Sequence, residues 1–262
     1  MSEVRSAIDF LKSDFCPLAS DLYSSPSTLT PIPKGGILEK TTVPLSTFDH
    51  SLIAQRNPVF LVGVDEAGRG PLAGPVVACA AHIPPAVFPL VSPFVNDSKK
   101  LTPKKREAAF SAMLGAGVRS GFGWAMPEEI DRCNILEATF NAMGTAVKRL
   151  ARLLGVLPPA GLFVLVDGPY KIKRLAVSQE AVVDGDARSL SIAAASIFAK
   201  VLRDRWMARL ETRHPGYGLA KHKGYGTASH LSALRVLGPS AVHRLSFAPV
   251  KMAAISEVRS QK

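Results

Sequence analysis

Residues 58–77 read PVFLVGVDEAGRGPLAGPVV. The run from Val59 to Val64 is short, apolar and rich in β-branched residues, which suits a central strand. Two acids, Asp65 and Glu66, close it. A Gly/Pro-rich turn spans Gly68 to Pro75, and Pro75 to Ile83 reads as a second strand, antiparallel to the first. Neighbours on a regular strand point to opposite faces. The glycines after Glu66 are therefore expected to break the strand and let the longer glutamate join Asp65.

Upstream, residues 1–57 are rich in Ser, Thr and Pro, hold five Lys/Arg against six Asp/Glu (net −1), and lack helix-length periodicity. They read as a partly disordered N-terminal extension, with a globular unit beginning near Pro58. Downstream, Thr102 and Pro103 make a good helix start, since threonine caps and proline suits a first turn. Gly117 to Ala125 alternates as a strand, Pro127 to Leu154 is a helical region, and Leu162 to Val166 is another strand, ending at Asp167. Ser189 to about Arg213 reads as a long helix. At about 100° per residue, Ile192, Ala195, Ala199, Leu202, Trp206 and Leu210 form one stripe that should face the core. Ser196, Lys200 and Arg203 fall beside it. Thr227 caps a short helix to about Leu237, and Pro239 is a candidate start for another. The expected organisation is an extension over 1–57, an α/β domain over 58–213 and a basic helical segment over 214–262.

With 262 residues and 47% hydrophobic content, the chain can bury one sizeable core. No apolar run approaches the roughly 18–20 residues that span a bilayer, and the first residues lack an apolar signal core. Three widely spaced cysteines (Cys16, Cys79, Cys133) form neither a disulfide framework nor a zinc pattern. A cytoplasmic monomer is the expectation. The formal net charge is +11, and residues 200–262 carry twelve Lys/Arg against three Asp/Glu, a net of +9. A clustered basic excess fits a polyanionic partner such as nucleic acid, and equally a solvated basic surface.

Asp65 and Glu66 at one strand end, Asp167 at another and Asp186 just before the long helix are the candidate chemistry. Strand ends are where loops assemble sites on a rigid frame. Clustered carboxylates are oxygen ligands suited to Mg²⁺ or Mn²⁺, and two such ions can drive phosphodiester hydrolysis. Each acid alone is more often merely solvated. There is no Walker-type Gly-Lys-Ser/Thr run and no Ser–His–Asp arrangement.

The string VGVDEAGRGPLAGPVV (residues 62–77) resembles the signature of the ribonuclease HII family. So do NDSKKL (96–101), Val166-Asp-Gly168, Gly185-Asp-Ala187 followed by SIAAASIFAKVLRD (191–204), KHKGYGT (221–227) and HRLSF (243–247). Together they cover about residues 58–251 in the family's order. The resemblance implies a ribonuclease H-like α/β fold: a central mixed sheet of about five strands flanked by helices, with a small helical C-terminal part. It implies that Asp65, Glu66, Asp167 and Asp186 bind divalent metal, Mn²⁺ or Mg²⁺. The implied partners are RNA–DNA hybrids and DNA with embedded ribonucleotides, cut to leave 3′-hydroxyl and 5′-phosphate ends. Gly68, Arg69 and Gly70 would read the 2′-hydroxyl at the RNA–DNA junction, the group that separates RNA from DNA. Tyr225 would stack on the junction deoxyribose. Lys99, Lys100, Ser196, Lys200 and Arg203 are candidate phosphate contacts, which position a duplex without reading its sequence. Asp204, inside the long helix between Arg203 and Arg205, is assigned to ion pairing. The histidines at 214, 222, 230 and 243 have no metal-site spacing, though His222 and His243 are candidates for phosphate contact. Two rivals remain: a ribonuclease HIII-like hybrid nuclease, for which residues 1–57 look too short and irregular, and a non-catalytic hybrid-binding protein, which should lack one of the acids.

Overall fold

The computed structural model describes residues 44–95, 101–156 and 161–260, with side chains to 255. Residues 1–43 and the candidate contacts Lys99 and Lys100 lie outside this set.

A five-stranded mixed sheet forms the centre, in the order β3-β2-β1-β4-β5. The strands are β1 (Phe60–Ala67), β2 (Val76–His82), β3 (Arg119–Ala125), β4 (Leu162–Asp167) and β5 (Ser178–Val182). β2 pairs antiparallel with β1 and β3, whereas β4 runs parallel to β1 and β5. Among the described residues the helices are α1 (Leu45–Arg56), the single turn α2 (Phe88–Val91), α3 (Pro103–Gly115), α4 (Pro127–Cys133) and α5 (Ile135–Leu153). They continue as α6 (Leu190–Arg213), α7 (Leu219–His222), α8 (Ala228–Leu237) and α9 (Ala248–Ser260).

Strand alternation divides the core. Val62 and Val64 join Ala78, Ala80, Val164 and Val166 under α5, with Met143, Val147 and Leu150 above them. Leu61 and Leu165 face the other way, toward Ile192 of α6. The predicted stripe of α6 is buried along its length, from Ile192 to Leu210. Gly63 explains how close α6 comes: a Cβ there would lie 2.1 Å from the carbonyl carbon of Ser191. Helix and strand backbones touch at this point, so no side chain fits between them.

Four details differ from the sequence reading. Leu45–Arg56, read from the sequence as part of an irregular extension, forms helix α1 held against α6. The reason is Asp49 of α1, which is buried and accepts from both the amide (2.9 Å) and the hydroxyl (2.7 Å) of Ser191 at the start of α6. A carboxylate there satisfies helix amides left unbonded in the first turn. The helical region 127–154 is two helices, divided at Asn134, whose φ is 72° and whose side chain caps α5 through the amides of Leu136 and Glu137. The last helix begins at Ala248, not Pro239. Finally, β1 continues through Ala67, so the glycines do not break it at Glu66.

Candidate active site

Asp65 and Glu66 are both strand residues, paired across β1–β2 with Cys79 and Ala78. Asp65 shares its parity with Leu61 and Gly63, which turns it to the α6 face. The β1–β4 register Val64↔Val166 sets Asp167 level with Asp65 on the neighbouring parallel strand and on the same face. Asp186 sits in the 3-10 turn Gly185–Ala187 directly before α6 and is 2% exposed. That turn is tied to β4 by the amide of Gly185, which donates to Asp167 Oδ1 at 2.8 Å. Gly185 has no room for a side chain, since a Cβ would meet Ile192 Cδ1 at 2.6 Å. Thus two adjacent strand ends and one helix start bring the predicted acids to one end of the sheet.

The electrostatics are those of like charges held out of water. Asp65 is 6% exposed. Burial, then the charges of Glu66 and Asp167, push its carboxyl well above the usual carboxylate range, opposed by a hydrogen bond from Ser196. Glu66 is raised by burial, relieved by Arg69, and raised again by Asp167. Each acid leans on a local donor: Asp65 Oδ1 takes the Glu66 amide at 2.6 Å, and Glu66 Oε1 takes Arg69 Nη1 at 3.3 Å. Accordingly, among the described residues no three His, Cys, Asp or Glu side chains are grouped so that they hold an ion as they stand. The donor chemistry still fits a hard divalent cation. All the candidate ligands are carboxylates, and their mutual repulsion is what such a cation would cancel.

Beside the acids, the turn after β1 is held by two buried arginines. Arg244 donates to the carbonyls of Gly68 (2.6 Å), Arg69 (2.8 Å) and Gly74 (2.8 and 3.1 Å). Arg203 donates to the carbonyls of Pro75 (3.0 Å), Lys223 (3.0 Å) and Ala73 (3.2 Å). Burial lowers Arg203 to about 10. Burial and then Arg203 lower Arg244 to about 9, so both remain cations at neutral pH. Gly68 has φ +98°, and a Cβ on it would stand 1.9 Å from Arg203 Nε. In a trans peptide the amide opposes the carbonyl. Carbonyls 68 and 69 point to Arg244, so the amides of Arg69 and Gly70 point away from it. Tyr225, 46% exposed, lies against this turn, with its Cε1 3.8 Å from where a Cβ of Gly70 would be.

The structure therefore brings Gly68, Arg69, Gly70 and Tyr225 together beside the acids, and places Ser196 against Asp65. It corrects the expectation for Arg203, which is 1% exposed and tied to three backbone carbonyls, so its guanidinium is not available to phosphate. Lys200 donates to Asp204 (2.7 Å), which also faces Arg106 (3.7 Å). Arg244, which holds the turn, was given no role by the sequence reading. Its carbonyl partners lie some 170 positions away, and no local pattern announces such a pairing.

His230 and His243 near this loop are buried, His222 is half-buried, and all three are internally bonded, which is at odds with a phosphate contact by His243. His243 is pushed down to about 4 by burial and by His230, His214 and His222, opposed by Ser240. An unfolded histidine titrates near 6.5, so the unfolded chain binds the extra proton between pH 6.5 and 4. The folded state is accordingly favoured above pH 6.5 and loses stability as pH falls through that window, by about 3 kcal/mol in total. Melting curves of the protein and of His243→Gln between pH 4 and 7 check this; the variant should show the shallower slope.

The sheet order and flanking helices define the ribonuclease H-like α/β class. The ribonuclease H2 of Pyrococcus horikoshii OT3 superposes with a TM-score of 0.60 at 27% identity, covering 75% of this chain and 98% of that one. Bst-RNase HIII, solved in complex with Mn²⁺, gives a TM-score of 0.63 at 20% identity over 87% of this chain and 79% of that one, a likeness of fold. The family model "Ribonuclease HII" matches residues 62–250, and the chain belongs to that family. It is 44% identical over 223 residues to the ribonuclease HII of Pelobacter propionicus (85% of this chain, 96% of that protein). It is 47% identical over 217 residues to that of Geobacter sulfurreducens (79% and 95%). The protein is a ribonuclease H enzyme. Among the described residues no helix is long and apolar enough to cross a membrane.

Proposed function

We propose that this ribonuclease H hydrolyses the RNA strand of RNA–DNA hybrids and cuts duplex DNA on the 5′ side of an embedded ribonucleotide, leaving 3′-hydroxyl and 5′-phosphate ends. The observation that carries the reading is the juxtaposition at the end of β1. The same strand that holds Asp65 and Glu66 runs straight into the Arg244-pinned turn beside Tyr225.

In this reading Asp65, Glu66, Asp167 and Asp186 hold divalent metal, Mg²⁺ or Mn²⁺. Metal of that kind supplies a water activated at neutral pH and charge for the leaving oxygen. The chain does the rest. The outward amides of Arg69 and Gly70 are rigid donors for the 2′-hydroxyl, and a rigid donor costs little to order when substrate arrives. Tyr225 packs on the neighbouring deoxyribose and fixes which sugar sits at the turn. Ser196 steadies Asp65 through its hydroxyl. Lys99, Lys100 and Lys200 are assigned to backbone phosphates, with Lys200 exchanging Asp204 for the substrate.

The test is cleavage of a duplex carrying one ribonucleotide against an all-DNA duplex of the same sequence, with Mg²⁺, with Mn²⁺ and with chelator. The expected result is one cut 5′ to the ribonucleotide with metal, and none with chelator or in the all-DNA duplex. Equal cutting of both duplexes defeats the specificity, and cutting in chelator defeats the metal.

A further inference from the structure

His222 and His230 bond the backbone of the Gly224–Gly226 loop, His243 stands behind His230, and backbone partners dictate the proton of each ring. Ser240 N–H donates to His243 Nδ1 at 3.0 Å, so that nitrogen is bare and the His243 proton sits on Nε2. His243 Nε2 is 3.1 Å from His230 Nε2, which must then accept. The His230 proton is left on Nδ1, where it meets the Tyr225 carbonyl at 3.0 Å, a group that only accepts. The two ends of the chain thus force the same assignment independently. His222 follows the same logic: the Gly224 amide donates to its Nδ1 (3.3 Å), and its Nε2 proton goes to the Tyr217 carbonyl (2.7 Å). Its ring stacks on His230 with centroids 4.4 Å apart.

We propose that His230, backed by His243 and His222, is a positioning residue that fixes the backbone of Tyr225 so that its ring is set for the substrate sugar. The inference rests on the reading of Tyr225 given above. His230 is fully buried, so it acts through the tyrosine. The Tyr225 amide donates to the His222 carbonyl at 3.0 Å, and its carbonyl also accepts from Thr227 N–H at 2.8 Å. With the His230 bond, the peptide groups on either side of Tyr225 are fixed while its ring stays half in solvent. A ring mounted this way needs little ordering on binding. Burial lowers the proton affinity of both His230 and His243, which keeps the wiring neutral. A second proton on either ring would set two donors face to face.

Two side chains distinguish position from mere polarity. Asparagine at 230 keeps a donor where Nδ1 stands, whereas glutamine places its amide where Nε2 stands. On the one-ribonucleotide duplex, His230→Gln is expected to raise KM roughly fivefold with kcat little changed, the loss of one buried hydrogen bond. His230→Asn should stay close to the parent enzyme. In a Tyr225→Ala background the His230→Gln change should have no further effect. Long-range ¹H–¹⁵N spectra of the folded parent enzyme should show the Nδ1–H form of His230 and the Nε2–H form of His243. The opposite tautomers, equal KM for the Asn and Gln variants, or an undiminished His230→Gln effect without the tyrosine would each overturn the inference. If Tyr225→Ala leaves KM unchanged, the reading of Tyr225 fails first, and the inference with it. If Tyr225→Ala raises KM and His230→Gln does not, the inference alone fails.

Discussion

Asp65→Asn is expected to slow cleavage of the one-ribonucleotide duplex by about 10³-fold or more in saturating Mg²⁺, since metal-borne charge stabilisation is worth several kcal/mol. Duplex affinity should change little, because the turn and Tyr225 are untouched. The same variant should melt higher than the parent in chelator, by an amount near 1 kcal/mol, as a charged group that strains the site is made neutral. Both signs follow from one fact. Asp65 is buried beside two other acids that raise its proton affinity. An ion-free site is therefore a standing cost to the fold, and the asparagine removes that cost together with the activity. Rapid-quench kinetics, a binding titration and melting in chelator give the three readouts. Retained activity in Mg²⁺ would sink the metal assignment, and a lower melting point in chelator would contradict the repulsion.

Arg244→Met is expected to cost about 3 kcal/mol or more, because it leaves the buried carbonyls of Gly68 and Gly74 and the part-buried one of Arg69 without their charged donor. For a domain of this size that is roughly a 10 °C fall in melting temperature. Where the protein is still folded, kcat/KM on the one-ribonucleotide duplex should fall about 10²-fold, the usual order when a contact is misplaced by an ångström. Arg69→Ala is the matched control. Its backbone carbonyl remains, and its side chain is half exposed, so stability should hardly change. A melting point for Arg244→Met equal to that of Arg69→Ala would show that the clamp does not matter.

How far the sequence could be read depends on the range of each interaction. The strands β1 and β4 and the core stripe of α6 are local hydrophobic patterns, and each is found where its period places it. The acids were visible because strand ends and a helix start are local features too. Their convergence was not visible from spacing; it required the register of β1 on β4, and the family resemblance stood in for that register. Arg203 shows the opposite failure. Its position beside the core stripe was read correctly, but it was taken for a phosphate contact. Carbonyls supplied by residues 73, 75 and 223 let it be buried instead. Asp49 drew no separate reading, since an acid in a polar segment gives no sign that it will cap a helix at residue 191. Asn134 was missed because capping at a positive φ interrupts a helical pattern without changing its periodicity.

The Arg244 clamp joins positions 68–74 to position 244, nearly the whole span of the family match. During synthesis Asp65, Glu66, Asp167 and Asp186 all emerge before Arg244, which pins the turn after β1. Contacts this far apart in sequence form late, because the intervening chain must be ordered first. A chain that stops short of residue 244 therefore carries Asp65, Glu66, Asp167 and Asp186 but lacks the donor that pins the turn.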